Sequence, residues 1–274
     1  MGLTRPVSLA LLETLATIVA AAGRVVLDVY KRRFEVEYKA PGDPVTAADQ
    51  LANALLVRRL GEVFPGVAVV AEESPPAARA GYRRAERVFF VDPLDGTREF
   101  VDRVGEFAVM IGLAEGSRAI AGAIHAPLDE LTWVGGVGVG AWQTPTFGSW
   151  TRVSVTDTAE LARARIVASR SHRSARLERA LAALAPREVR TMGSAGLKGA
   201  AVARGAADAY IDTGAKTKRW DACAVDAVVT AAGGRVSDLD GAPIDYRGRH
   251  LVNDRGLVVT NGRLHDAVLT VIGG

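Results

Sequence analysis

Leu12, Leu15, Val19, Ala22 and Val26 recur at three- and four-residue steps, the spacing of one helix face, and predict an amphipathic helix over residues 7–32. The run Pro41-Gly42-Asp43-Pro44 breaks the pattern. A second helix is predicted from Thr46 to about Leu60, ended near Gly61 and Pro65-Gly66. Val67 to Ala71 reads as a short buried strand, and Arg87 to Val91 as another, separated by a charged loop that starts at Pro75-Pro76. From Glu106 to Glu130 apolar runs alternate with turn residues. They predict paired strands at 107–113 and 119–126, and the meander continues through 131–134 and 140–143. Gly135, Gly136, Gly138 and Gly140 lack the spacing of a dinucleotide loop and read as a tight hairpin.

Beyond a polar link at 144–150 the pattern changes. Strands are expected at 165–169, 188–192 and 207–212, with helices at 174–184, 194–204 and 222–232 between and after them. Strand–helix alternation predicts a largely parallel sheet, closed by a strand at 257–260 and a helix at 265–272. The first half is thus expected to be α+β and the second α/β. The boundary divides a domain of residues 1–148, which supplies metal ligands, from one of residues 149–274, which completes the substrate site.

Composition narrows the class. The chain has 274 residues, 49% of them apolar, enough for a large core. Lys and Arg total 34 against 31 Asp and Glu, a formal charge of +3, with no stripe of interleaved arginines and aromatics. Nucleic acid is not an expected partner, and a small anionic substrate suits the balance better. Arg5 and the apolar stretch after it have the outline of a signal peptide, but Glu13 interrupts the stretch and the helical pattern continues past Arg24 and Asp28. The uncharged run reads as too short to span a bilayer, so a soluble protein without stable membrane insertion is expected. Cys223 stands alone and cannot form an internal disulfide, which suits a reducing, cytoplasmic compartment. Val229 stands where a cysteine phosphatase needs an arginine, so Cys223 is expected to be buried and inert. Oligomeric state is left open between monomer and homodimer.

Two short acidic segments carry the chemistry: Ala71-Glu72-Glu73-Ser74 and Val91-Asp92-Pro93-Leu94-Asp95-Gly96-Thr97. The second is expected to deliver two carboxylates just after a strand. Hard oxygen donors of this kind favour Mg²⁺, and two acids on one turn suit a pair of ions. The lesser alternative is a capped turn, with Asp95 capping a helix starting near Thr97. Glu72 ends the preceding strand, where an ordinary surface glutamate would also sit. Asp49, three residues after Thr46, has the spacing of a capping box, and Asp221 could cap the helix that follows it. Gly96-Thr97 and the segment Ser194 to Lys198 both lead into helices, whose amino ends favour phosphate. His172, after Ser169 on a strand-end loop, divides evenly between solvated loop and ligand contact. His125, His250 and His265 form no metal spacing and are expected to be structural. The sequence contains no Asp-x-Asp nucleophile near its start, no Walker A loop and no His-rich dinuclear cluster.

Asp92 to Thr97, the upstream Ala71 to Ser74, and Trp220-Asp221 with Ala231-Ala232-Gly233-Gly234 resemble the inositol monophosphatase superfamily along nearly the whole chain. The resemblance implies a five-layer αβαβα sandwich, shared with fructose-1,6-bisphosphatase, and Mg²⁺-dependent, lithium-sensitive phosphomonoester hydrolysis with two or three ions. Arg98-Glu99-Phe100, Gly105-Glu106-Phe107, Ser169 to His172, Gly193 to Lys198 and Lys218 to Ala224 look most like the 3′(2′),5′-bisphosphate nucleotidases. By that likeness Glu72, Asp92, Asp95, Asp221 and the carbonyl of Leu94 would hold the metal. Asp49 and Thr97 would activate the attacking water. Gly96, Thr97, Ser169, His172, Ser194, Lys198 and Asp221 would meet a small phosphorylated nucleotide. Val225-Asp226 departs from the branch's usual Pro-Glu, Met110 from its usual Asn, and residues 247–254 match its tail loosely. The expected activity is removal of the 3′-phosphate from 3′-phosphoadenosine 5′-phosphate, with the 5′-phosphosulfate analogue as a second substrate. An inositol monophosphatase or broad sugar-phosphate phosphatase is the nearest alternative, and a silent phospholigand-binding protein the alternative from another class.

Overall fold

The computed structural model describes residues 7–40, 43–146, 148–214 and 217–273. Arg5 and the Pro41-Gly42 break lie outside them. Helix α1 (Leu9–Tyr30) is N-capped by Ser8, whose hydroxyl accepts from the Leu11 N–H. The residues that predicted it, Leu12, Leu15, Val19, Ala22 and Val26, form its buried face. By length and apolarity α1 could cross a bilayer, contrary to the expectation that the run is too short, and 56% of the relevant window is buried inside the fold. A hairpin missed by the sequence reading follows, β1 (Val36–Ala40) and β2 (Asp43–Thr46). Thr46 then caps α2 (Ala47–Val63).

Strands β3 (Ala68–Ala71) and β4 (Arg87–Asp95) are parallel. Between them residues 76–84 form two short 3-10 turns where a plain loop was predicted. The short helix α3 (Thr97–Val101) leads to β5 (Ala108–Glu115), β6 (Arg118–Ala126), β7 (Leu131–Gly136), β8 (Gly140–Pro145) and β9 (Thr151–Val153). These strands form one seven-stranded sheet in chain order, antiparallel beyond β4. The predicted meander is present, and β9 extends it past residue 148. Both faces of β4 are buried: Val88 and Phe90 join one core cluster, Phe89 and Val91 the other. A sheet covered on both sides explains why the strand reads as a continuous apolar run.

The second sheet is built from β10 (Arg165–Ser169), α4 (Ala175–Leu184), β11 (Glu188–Met192), α5 (Ala195–Ala203), β12 (Ala209–Asp212), α6 (Arg219–Ala231), β13 (Arg235–Ser237), β14 (Leu257–Thr260) and α7 (His265–Gly273). Its strand order is β11-β10-β12-β14-β13. β10 runs parallel to both neighbours, but β14 is antiparallel to β12 and β13, so the sheet is mixed rather than largely parallel. A parallel return needs a crossover, normally a helix. The segment between β13 and β14 contains no helix and brings the chain back in the opposite sense. With α1 and α2 outside the first sheet, α5 and α6 between the sheets, and α4 and α7 outside the second, the architecture is the expected five-layer αβαβα sandwich.

Three strand glycines set the central layer. Gly112 pairs with Gly122, and Gly122 with Gly135, making a row across β5, β6 and β7. A Cβ on Gly112 would stand 2.5 Å from the Ala224 nitrogen, one on Gly122 2.9 Å from the Ala224 Cα, and one on Gly135 2.6 Å from the Val228 Cα. The backbone of α6 therefore lies directly on the sheet, closer than any side chain would allow. Gly135 was read as part of a hairpin, but its place in this row is what demands glycine.

Candidate active site

Asp92 and Asp95 are three residues apart, and in a regular strand they would face opposite sides. The ladder between β4 and β5 shifts there: Asp92 pairs with Met110 and Asp95 with Ala108, so one extra residue bulges out of β4. Pro93, with no N–H to donate, sits in the bulge. The bulge turns both carboxylates to one side. They lie within the strand rather than after it, as the sequence reading had placed them. Gly96 follows with φ 95°, and a Cβ there would meet the Glu106 carbonyl oxygen at 2.8 Å, so the turn into α3 accepts only glycine.

Asp221 arrives from the other side, at the third position of α6, where its carboxylate accepts from the Lys218 N–H. One carboxylate oxygen from each of Asp92, Asp95 and Asp221 lies within 4.8 Å of the others. Burial pushes the Asp92 carboxyl well above its ordinary range, and the charges of Glu72, Asp95 and Asp221 push it further. Burial, then Glu72 and Asp95, raises Asp221 to about 7, and Asp92 and Asp221 share a hydrogen bond. Acceptor-only oxygens crowded at this spacing repel one another, and a divalent cation relieves the repulsion. The donor set fits a hard ion such as Mg²⁺.

Glu72 lies beside this trio and is not part of it. Its carboxylate is 3.4 Å from Lys39 Nζ on β1, and Lys39 also pairs with Glu73. Burial raises Glu72, and Lys39 draws it back down. Leu94 is buried; its N–H donates to Asp92 at 3.0 Å and its carbonyl accepts from the Thr97 hydroxyl at 3.0 Å.

Asp49 fills both roles that the sequence left open. Its Oδ2 accepts from the Thr46 N–H at 2.7 Å and the Thr46 hydroxyl at 2.8 Å, completing the capping box. Its Oδ1 accepts from the Thr97 hydroxyl at 3.0 Å, linking α2 to the turn after Asp95. Asp49 is 2% exposed, and burial raises its carboxyl despite those hydrogen bonds.

The amino end of α5 differs from expectation. It was predicted to offer open N–H groups to phosphate. Instead Asp95 accepts from the N–H of Ala195 at 3.1 Å, the N–H of Gly196 at 2.7 Å and the Ser194 hydroxyl. Ser194 is held at φ 55°, an uncommon backbone state for a non-glycine residue. Lys198 is 3% exposed, donates to the Ser194 carbonyl at 2.7 Å and lies 4.9 Å from the Tyr210 ring centroid. Both residues therefore brace Asp95 and the α5 amino end. Met110, the departure from the branch's asparagine, packs under the same end, where a Cβ on Gly196 would meet its sulfur at 2.5 Å.

Ser169 accepts from the His172 N–H at 3.1 Å, and His172 is exposed. Their loop is tied to the region after Thr97 by residues that the sequence reading gave no role of their own. Ser171 donates to the buried Glu99. Arg170 makes a two-pronged ion pair with Glu106 at 2.8 and 2.7 Å, and Glu106 accepts from the Gly193 N–H at 2.6 Å. The spacing of Glu99 and Glu106 was the only available signal; their partners, just after β10 and β11, are distant in sequence. Cys223 is fully buried and its thiol is pushed well up by burial, as expected of an inert cysteine. His125 bonds Thr132, and His265 bonds Ser237 and Thr260. Both are lowered to about 4 by burial and are structural.

The profile of the Inositol monophosphatase family matches residues 10–272. The 3′(2′),5′-bisphosphate nucleotidase CysQ of Escherichia coli K12 is 34% identical over 252 residues, covering 91% of this chain and 99% of that protein. The Salmonella typhimurium protein of the same name is also 34% identical over 91% of the chain and 99% of its own length. Among solved structures, CysQ from Bacteroides thetaiotaomicron superposes with TM-score 0.77 at 28% identity, covering 92% of this chain and 97% of that one. A Thermotoga maritima IMPase superposes at TM-score 0.82 and 24% identity, covering 97% of each chain, and supports the fold.

Proposed function

The chain belongs to the inositol monophosphatase family, and from that premise we propose that it removes the 3′-phosphate of 3′-phosphoadenosine 5′-phosphate, giving AMP and phosphate. The observation that carries the chemistry is the convergence of buried Asp92 and Asp95 with half-buried Asp221 beside the Asp49–Thr97 pair. The substrate reading is supported by the CysQ nucleotidases, alike along 91% of this chain. The 5′-phosphosulfate analogue is a second substrate of the same site.

Asp92, Asp95, Asp221, Glu72 and the Leu94 carbonyl would hold two or three Mg²⁺ ions. When bound, Mg²⁺ supplies Lewis-acid polarisation of the phosphoryl oxygens and a lower pKa for water. The protein's part is orientation and proton handling. The single Thr97 hydroxyl hydrogen lies between Asp49 and the Leu94 carbonyl; directed at Asp49, it leaves the Thr97 oxygen lone pairs to accept from an attacking water. The water's proton passes to Thr97 as the Thr97 proton passes to Asp49, whose raised carboxyl is suited to take it. Asp95, fixed by the α5 amino end, keeps its carboxylate in place through the reaction. Gly96, Ser169, His172, Ser194 and Lys198 line or brace the substrate side, Ser194 and Lys198 through Asp95. The enzyme works in the cytoplasm on a small phosphorylated nucleotide.

The test is phosphate release with Mg²⁺ from 3′-phosphoadenosine 5′-phosphate, inositol 1-phosphate and fructose 1,6-bisphosphate in parallel. The bisphosphate nucleotide is expected to give the highest kcat/KM. A preference for inositol 1-phosphate would reject the substrate, and no release from any of the three would reject the enzyme.

A further inference from the structure

Arg79 has no part in the roles assigned above. It ends the 3-10 turn Pro76–Arg79 and is half-buried. Its Nη2 donates to two main-chain oxygens, that of Glu72 and that of Ser74 at 2.5 Å. Its guanidinium carbon lies 5.1 Å from the centroid of the Trp220 ring. Its Nε is buried with no acceptor among the described residues.

These contacts join two distant parts of the chain. Glu72 and Ser74 close β3 on the first sheet, and Trp220 immediately precedes Asp221 on α6. The Glu72 N–H donates to the carbonyl of Val91, next to Asp92, at 3.1 Å. With Arg79 on the carbonyl, the Glu72 main chain is held on both sides. A planar guanidinium can reach two oxygens while its face rests on an indole. Arg79 binds carbonyls and leaves the Glu72 and Glu73 side chains to other cations. Burial lowers its pKa, and the nearby carboxylates of Glu72 and Glu73 offset part of that effect.

We propose that Arg79 is a positioning residue for the divalent-cation site, clamping the Glu72 strand end against Trp220 so that Glu72 stands at the right distance from Asp92 and Asp221. The inference rests on the metal reading under Proposed function.

The test is Mn²⁺ binding to metal-free protein without substrate, read by the electron paramagnetic resonance of free Mn²⁺, alongside thermal unfolding. Arg79→Met should weaken Mn²⁺ binding about 10- to 100-fold, the usual effect of losing an outer partner of a metal ligand. Arg79→Lys keeps the charge and a donor but not the planar face on Trp220, and should remain within about 3-fold of Arg79→Met. Trp220→Leu should weaken binding too, and the double variant should be no worse than the weaker-binding single. Arg165→Met removes a guanidinium bonded to Asp208 and the Gly205 carbonyl at the start of β10, and should lower the melting temperature without changing Mn²⁺ affinity. Wild-type affinity in Arg79→Met, full recovery in Arg79→Lys, or an equal loss in Arg165→Met would overturn the clamp while leaving the metal site standing. Failure of the wild type to bind Mn²⁺ would remove the metal reading and the clamp together. If Arg79→Met does not fold, Arg79→Lys and Trp220→Leu carry the same comparison.

Discussion

Replacing Gly112 by alanine should move α6 and, with it, Asp221. The new Cβ would stand 2.5 Å from both the Ala224 nitrogen and the Cys223 Cβ, and 2.6 Å from the Cys223 carbonyl carbon. Comfortable carbon contacts begin near 3.5 Å, so the helix must retreat by about 1 Å. It cannot slide aside, because Gly122 and Gly135 hold it equally close. Overpacking of this kind costs about 1–3 kcal/mol. For a chain of this size that is a fall in Tm of roughly 2–10 °C. Asp221 lies two residues before Cys223 on the same helix, so its carboxylate should shift against Asp92 and Asp95 by a comparable distance. A displacement near 1 Å can reduce turnover on the order of 100-fold. Thermal unfolding and Mg²⁺-dependent phosphate release measure the two effects. Gly61→Ala is the control: no atom lies within 4 Å of its added Cβ, and it should stabilise α2 by about 0.5–1 kcal/mol. A Gly112→Ala protein with wild-type Tm would refute the packing argument. One with lowered Tm but wild-type turnover would refute the coupling between the glycine row and the site.

Asp95→Asn should abolish turnover and also lower stability, because the NH2 that replaces one carboxylate oxygen cannot accept and leaves at least one of the three donors around Asp95 unpaired. The stability loss should be about 1–3 kcal/mol, and a Mg²⁺-dependent active variant would count decisively against the assignment. Thr97→Val keeps the side-chain shape and removes the hydroxyl, so kcat should fall about 100-fold with little change in KM. Equal losses in kcat/KM arising from KM alone would assign Thr97 to binding. Metal-free protein should lose stability between about pH 4 and 7 relative to metal-free Asp221→Asn, a comparison in which the opposing gain from buried His125 and His265 is common to both proteins. Asp221 is held near 7 in the fold against an ordinary 3.8, so the native state binds more protons than the unfolded chain there and stability declines with pH. Asp92, raised well above its usual range, acts in the same direction. Saturating Mg²⁺ should cancel the decline, since the ion displaces those protons. A Tm difference between the two metal-free proteins that stays constant over this window would contradict the reading.

The fold was legible where one periodicity dominated. The face of α1, the meander from β5 to β8 and the alternation of β10 with α4, β11 and α5 all follow from spacing of apolar residues. The sense of β14 was hidden because direction depends on the connection before it, and the segment between β13 and β14 has no periodic pattern. β1 carries mostly exposed residues and β2 is only four residues long, so the hairpin leaves little hydrophobic signature. In the site, residue types pointed to the acids, but position within the strand did not. The bulge after Asp92 is set by pairing with Met110 and Ala108, which spacing along β4 cannot reveal. The amino end of α5 had the sequence of an anion site, and it does bind an anion, the protein's own Asp95. Arg79 was invisible because its partners are two main-chain oxygens and a ring from the other half of the chain.

The division of the acids between β4 and α6 has a bearing on biosynthesis. Asp92 and Asp95 leave the ribosome well before the helix bearing Asp221 exists, and that helix must still dock on its glycine row. A partly made chain cannot assemble the trio, so it can neither retain the cation nor attack nucleotides prematurely. Cation uptake instead favours the finished molecule, drawing late folding toward completion.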